Sequence, residues 1–189
     1  MIGQRRGTCD IQAHVHRSGQ PLPRAGYSTS PSSVIEPNDN SAGGNDEWRA
    51  RLIENRARIH EILRETRRIA VLGIKIPDSG QPAYYVAADA QRRGYEIVPV
   101  PVYYPEVTEI LGEPVYRSVA AIPDPVDMVN VFRRPRDIPP HVDDIIAAKP
   151  KVVWFQLGIR NDEAAERLAR AGIEVVQDRC LSIEFAAMR

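Results

Sequence analysis

The spacing of apolar residues divides this 189-residue chain into three parts. From Met1 to about Asn45 no apolar period is sustained. Gly, Ser, Pro, Thr and Asn supply almost half of that stretch, with Tyr27-Ser28-Thr29-Ser30-Pro31-Ser32-Ser33 at its middle. Such a segment cannot bury enough apolar surface to offset a backbone ordering cost of about 1–2 kcal/mol per residue. Residues 1–45 therefore read as a disordered tail, or as sequence upstream of the true start. In residues 46–67 the apolar positions Trp48, Leu52, Ile59, Ile62 and Leu63 recur at helical spacing. They predict one amphipathic extension helix, about Glu47 to Arg67, with Asn45 or Asp46 able to cap its first turn.

From Arg68 onward, strand and helix signals alternate. Ile69-Ala70-Val71-Leu72-Gly73 is a short apolar run stopped by glycine. A loop rich in Pro, Gly and Ser precedes a helix over 83–93, closed by Gly94. Tyr95 to Val100 reads as a second strand, and a short strand is expected at Pro114-Val115-Tyr116. Val126 to Phe132 and Lys151 to Phe155 are further strands, separated by a helix near 141–148. Asn161 caps a helix through Ala171 that Gly172 ends. Ile173-Glu174-Val175-Val176 is the last strand, and a closing helix runs from Leu181 to Met188. Strands separated by helices of this length imply βαβ crossovers, and near-continuous apolar strands imply a sheet covered on both faces. The expected fold over residues 68–189 is α/β: a Rossmann-like, open, doubly wound, mostly parallel sheet of about five strands. An eight-stranded barrel would need about twice the length.

Composition narrows the function. Lys+Arg and Asp+Glu both number 25, so the formal net charge is zero. That argues against a general nucleic-acid binder, which carries a basic surplus. No apolar run approaches the ~18–20 residues that span a bilayer, and the N-terminus lacks a signal peptide's apolar core. Two cysteines, Cys9 and Cys180, are too few for a disulfide framework or a zinc module. His14-x-His16 matches no metal-ligand spacing. A cytoplasmic protein is the default expectation.

In an open parallel sheet, ligands bind beyond the carboxyl ends of the strands, near the point where strand order reverses. The first such loop, Gly73 to Pro82, is neither G-x-G-x-x-G nor a P-loop. It does hold Lys75, which reads equally as a phosphate partner or as a solvated loop lysine. The second, Pro99-Val100-Pro101-Val102-Tyr103-Tyr104, lacks the acid that NAD enzymes place against the ribose; its apolar strip suits an adenine face, and its tyrosines could stack. The third carries Arg133-Arg134 directly after Phe132, where guanidinium forks match phosphate oxygens. No catalytic set emerges. His60 and His141 lie in helices without an evident nucleophile, and Asp78 and Asp178 read as turn residues. Cys180 opens the last helix, where it is either a small packed residue or a thiol of lowered pKa.

Taken in order, these motifs resemble one family. They are Ile69-Ala70-Val71-Leu72-Gly73, Pro82-Ala83-Tyr84, Gly94 to Val100, Ile110 to Tyr116, Ile122-Pro123, Val131-Phe132-Arg133-Arg134, Val153 to Gly158 and Asp178-Arg179-Cys180. The chain resembles the small stand-alone CoA-binding proteins, which look like the CoA-binding domain of succinyl-CoA synthetase α-subunits detached from the enzyme. The resemblance covers about Arg67 to Met188. It implies coenzyme A or an acyl-CoA as the small-molecule ligand. It also implies that the loop from Gly73 holds the pyrophosphate, the edge at Val100 and Pro101 flanks the adenosine, and the strand ends at Phe132-Arg133 and Gln156–Gly158 border the pantetheine. With the loop readings above, the candidate site is Gly73, Ile74, Lys75, Pro82, Val100, Pro101, Tyr104, Phe132, Arg133, Arg134, Gln156 and Gly158. The phosphohistidine domain of the full synthetase is missing, so binding without catalysis is expected. Two departures stand out. Relatives' Pro-Val-Asn-Pro is here Pro99-Val100-Pro101-Val102, and their Pro-Ser-Tyr-Arg is Pro82-Ala83-Tyr84-Tyr85. A polar contact, a hydroxyl and an arginine are thereby lost. The alternative function on this fold is an NAD(P)-dependent oxidoreductase or dinucleotide redox sensor, which rests on fold analogy alone.

Overall fold

The computed structural model describes residues 46–188. The tail expected over residues 1–45, with Cys9, His14 and His16, lies outside them. Five strands form one parallel sheet: β1 (Arg68–Leu72), β2 (Glu96–Val100), β5 (Met128–Val131), β6 (Val152–Phe155) and β7 (Glu174–Val176), in the order β2-β1-β5-β6-β7. The register aligns Leu72 with Val100 on one side and with Val131 on the other. After β2 the chain returns to the far side of β1, so strand order reverses between β1 and β5.

Each strand is buried on both faces, as its uninterrupted apolar runs require. On one face Ala70, Leu72, Val129, Val131, Val153 and Phe155 pack with Val142 and Ile145 of α3 (Val142–Ala148) and with Leu168 of α4 (Asp162–Arg170). On the other, Ile69, Val71, Met128 and Trp154 meet three helices: α1 (Arg56–Glu65), α2 (Pro82–Arg92) and α5 (Leu181–Ala187). Local signals set the helix limits. The Asn161 side chain accepts from the Ala164 amide, capping α4. Pro82 opens α2 at a position whose N–H has no helical acceptor anyway. The short strand expected at 114–116 belongs to a small antiparallel pair, β3 (Glu109–Ile110) and β4 (Glu113–Pro114), closed through Leu111 and Gly112 at positive φ. No helix among the described residues is long and apolar enough to cross a membrane.

The single helix expected over residues 47–67 is not what forms. Glu47–Arg51 make a short 3-10 turn, residues 52–54 are extended, and only Arg56–Glu65 are α-helical. The apolar stripe serves both faces of the sheet. Trp48 and Leu52 pack on the α3/α4 side, while Ile59, Ile62 and Leu63 pack on the other. A straight helix cannot reach both, so the chain crosses over the sheet edge. There Leu52 bridges Val175 of β7 in parallel, and the Ile53 amide donates to the Val175 carbonyl at 2.8 Å. The crossing covers an edge that would otherwise offer unpaired backbone groups. Helix α1 then starts afresh under Asn55, not Asn45 or Asp46: the Asn55 carboxamide oxygen accepts from the Ala57 and Arg58 amides. Arg58 ties α1 to β7 through two bonds to Glu174, at 2.9 and 2.8 Å.

Candidate functional site

The loops after β1 and β5 leave the sheet in opposite directions and open a crevice at the reversal point. Two cavities flank it. One, of about 460 Å³, is walled by Lys75, the first turn of α2, Phe132 to Pro135, Gln156 to Ile159, and Cys180 with Ser182. The other, of about 510 Å³, lies on the β2 side against Pro101, Val102, Tyr103, Arg117, Ser118, His141 and Asp144.

Between them stands a cationic bridge. Lys75 Nζ sits 4.1 Å from the Tyr103 ring centroid. Arg133 approaches the same residue from the β5 side, its Nη1 donating to the Tyr103 hydroxyl at 3.4 Å. That bond, followed by the arginine's charge, draws the Tyr103 pKa below its ordinary value. Lys75 has no carboxylate partner among the described residues. Arg133, Arg134 and Arg136 share one acid, Asp137, at 3.9, 4.0 and 3.8 Å. Arg133 is the most enclosed of these, its side chain only 13% exposed, and its Nε is buried with no hydrogen-bond partner. A buried, unpaired guanidinium nitrogen is costly unless an acceptor arrives. Among the described residues no Asp or Glu lines the 460 Å³ cavity. Its donors and charge suit a phosphate group, and the partial positive charge at the start of α2 adds to them.

His141 lies in the second cavity. Burial lowers its pKa below 6.5, and the charge of Arg133 lowers it further, against the opposing pull of Asp144 and Asp137. The Asp144 carboxylate itself is occupied, accepting from the Val119 and Ala120 amides.

The expected site residues divide into those that line a cavity and those packed beneath it. Lys75, Pro82, Phe132, Arg133, Arg134, Gln156 and Gly158 all line the 460 Å³ cavity, and Pro101 lines the other. Gly73 sits where the backbones of β1 and β5 crowd together. Its φ is +87°, its N–H donates to the Val100 carbonyl at 2.8 Å, and a Cβ there would lie 2.6 Å from the Phe132 carbonyl oxygen. Glycine is required because β1 and β5 nearly touch where they diverge. Ile74 and Val100 are 1% exposed and belong to the core. Tyr104 takes positive φ and meets the edge of Tyr103; Lys75 Nζ lies 5.5 Å from its ring centroid as well, so both tyrosine rings face the lysine and Tyr103 faces Arg133 too.

Gln156 and Gly158 act as frame. The Gln156 carboxamide is buried, donating to Asn130 Oδ1 at 3.0 Å and accepting from the Leu181 amide at 3.4 Å. The Gly158 amide donates to Asp178 Oδ1 at 2.6 Å. Asp178 is thus the turn residue that holds the β6 loop against the β7 loop. Among the lining residues that were missed are Tyr85, Val86, Leu157, Ile159 and Ser182. The exposed apolar residues Tyr85 and Leu157, lying just after signals that were recognised, were the available clue.

An open parallel sheet with helices on both faces and a cation-rimmed crevice at its reversal point defines a Rossmann-like α/β domain. Comparison with known proteins makes this specific. The family model described as CoA binding domain matches residues 67–186. The Bacillus subtilis protein YneT is 35% identical over 136 residues, 71% of this chain and 97% of that protein. A solved structure from Thermus thermophilus is 36% identical, with a TM-score of 0.66 over 71% of this chain and 99% of that one. Another, from Pyrococcus horikoshii, is 33% identical at the same TM-score, covering 71% of this chain and 92% of its own. The chain belongs to the CoA binding domain family.

Proposed function

We propose that this protein binds coenzyme A, free or as a thioester, across the two cavities, and carries out no reaction of its own. Lys75, Arg133 and Arg134 hold the phosphates at the reversal point. The adenosine falls to Pro101, Val102 and Tyr103, and the pantetheine to the cavity between α2, the β6 loop and Cys180. The observation that carries this reading is the buried, unpartnered Nε of Arg133 beside a lysine with no acid of its own. Binding without chemistry is supported by how the reactive groups are dispersed. Cys180 lines one cavity and His141 the other, and Asp144 is committed to backbone amides.

Titration calorimetry of the full chain with CoA, dephospho-CoA and NADH tests the reading. Saturable heat with CoA and none with NADH is expected. Absence of binding to CoA at millimolar concentration overturns it, and tight NADH binding would move the protein to the dinucleotide class.

A further inference from the structure

We propose, building on the CoA reading, that the preferred ligand is a thioester with an uncharged, apolar acyl chain rather than free CoA or a dicarboxylic acyl-CoA. The cavity that would take the pantetheine changes character along the sheet. Its β1/β5 end carries Lys75, Arg133 and Arg134. Toward β6 and β7 the lining becomes Gln156, Leu157, Ile159, Cys180 and Ser182, with Tyr85 and Val86 on the α2 wall, and among the described residues it holds no charged side chain. An anionic ligand held by its phosphates at the first end therefore runs its other end into apolar surroundings.

The rim continues the pattern. Leu157 is 61% and Tyr85 54% exposed, and Ile183, next to cavity-lining Ser182, is 57% exposed. Leu157 is not exposed through slackness. The turn that presents it is closed by the Ile159 amide on the Gln156 carbonyl at 2.8 Å and by the Gly158 amide on Asp178. The buried Gln156 side chain anchors it from below. A leucine fixed in solvent on the same rim as an exposed tyrosine gains by being covered, and an acyl chain leaving the cavity covers both.

The same geometry disfavours a distal carboxylate. Arg160 and Arg179, the chain neighbours of Ile159 and Cys180, face a different cavity beside Ile53 and Gln177. They are engaged with Asp162 at 2.9 Å and Glu184 at 3.6 Å.

Dissociation constants of CoA, acetyl-CoA, octanoyl-CoA and succinyl-CoA, measured by calorimetry on the full chain below the micelle concentration, test the proposal. Octanoyl-CoA is expected to bind at least about tenfold more tightly than CoA, the effect of burying about two methylenes, and succinyl-CoA no more tightly than acetyl-CoA. In Leu157→Ser and Tyr85→Ser the octanoyl-to-CoA affinity ratio should shrink by at least about threefold, with melting curves confirming that both variants fold. Equal affinity for CoA and octanoyl-CoA, tightest binding of succinyl-CoA, or an unchanged ratio in both variants overturns the acyl proposal while leaving CoA binding intact. Failure of all four ligands to bind overturns the CoA reading itself.

Discussion

Replacing Arg133 by methionine separates ligand recognition from folding more sharply than any other change in the crevice. Methionine keeps most of the buried stem and removes the guanidinium. In the folded protein that guanidinium contributes little. Its bond to the Tyr103 hydroxyl is long at 3.4 Å, its ion pair with Asp137 spans 3.9 Å, and its Nε has no partner. Contacts of this kind are worth about 1 kcal/mol or less, and losing the orphaned Nε removes a desolvation cost. Stability should therefore change by no more than about 1 kcal/mol, a melting shift of roughly 2–4 °C in a chain of this size. Bound to phosphate, the same group would make charge-assisted hydrogen bonds worth about 1.5–3 kcal/mol. At about 1.4 kcal/mol per factor of ten, CoA affinity should fall roughly ten- to hundredfold. Calorimetry and thermal melting on the same preparations read both quantities. Unchanged CoA affinity, or a large loss of stability with it, would refute the assignment and make Arg133 a structural residue.

Three further outcomes follow from particular contacts. Gly73→Ala should destabilise the fold by more than about 2 kcal/mol, because its Cβ meets the Phe132 carbonyl at 2.6 Å in a left-handed backbone; chemical denaturation checks this, and a neutral result would mean β1 and β5 can separate freely. Gln156→Leu should cost about 1–3 kcal/mol by leaving Asn130 Oδ1 and the Leu181 amide without their bonds, measurable by the same denaturation series. His141 has a folded pKa below its ordinary 6.5, so the unfolded chain takes up its proton first as pH falls. Its contribution to stability is full above pH 6.5 and declines below it until the folded pKa is passed. Phosphate beside Arg133 would offset one cause of that depression, so the His141 pKa, followed by NMR, should rise when CoA binds and stay fixed if CoA sits elsewhere.

The sheet was readable from the sequence because each of its strands is an apolar run bounded by a turn signal, as at Ile69–Gly73 and Lys151–Phe155. Helix α4 was equally plain, since Asn161 and Gly172 mark its two ends. The extension was misjudged for a physical reason. Trp48, Leu52 and Ile59 fit a helical period, yet that pattern is silent on whether the residues share one face of a sheet or straddle its edge. Gly73 posed a similar ambiguity: a glycine ending a strand serves a close ligand or a close neighbouring strand, and the 2.6 Å approach of Phe132, invisible in the sequence, shows that the neighbouring strand alone requires it. Arg133 was found by its place after an apolar strand. That its Nε would be buried and unpaired is a property of packing, which no local pattern encodes. Leu157 was passed over because a single exposed leucine is ordinary; its meaning comes from Tyr85, a neighbour distant in sequence.

The most direct test is a crystal structure of the full chain grown with CoA. The account predicts the pyrophosphate against Lys75 and Arg133, with the Arg133 Nε now partnered, the adenine beside Tyr103, and the thiol end in the cavity bounded by Leu157 and Cys180. CoA bound at any other surface, with Lys75 and Arg133 still resting on Tyr103, would contradict it.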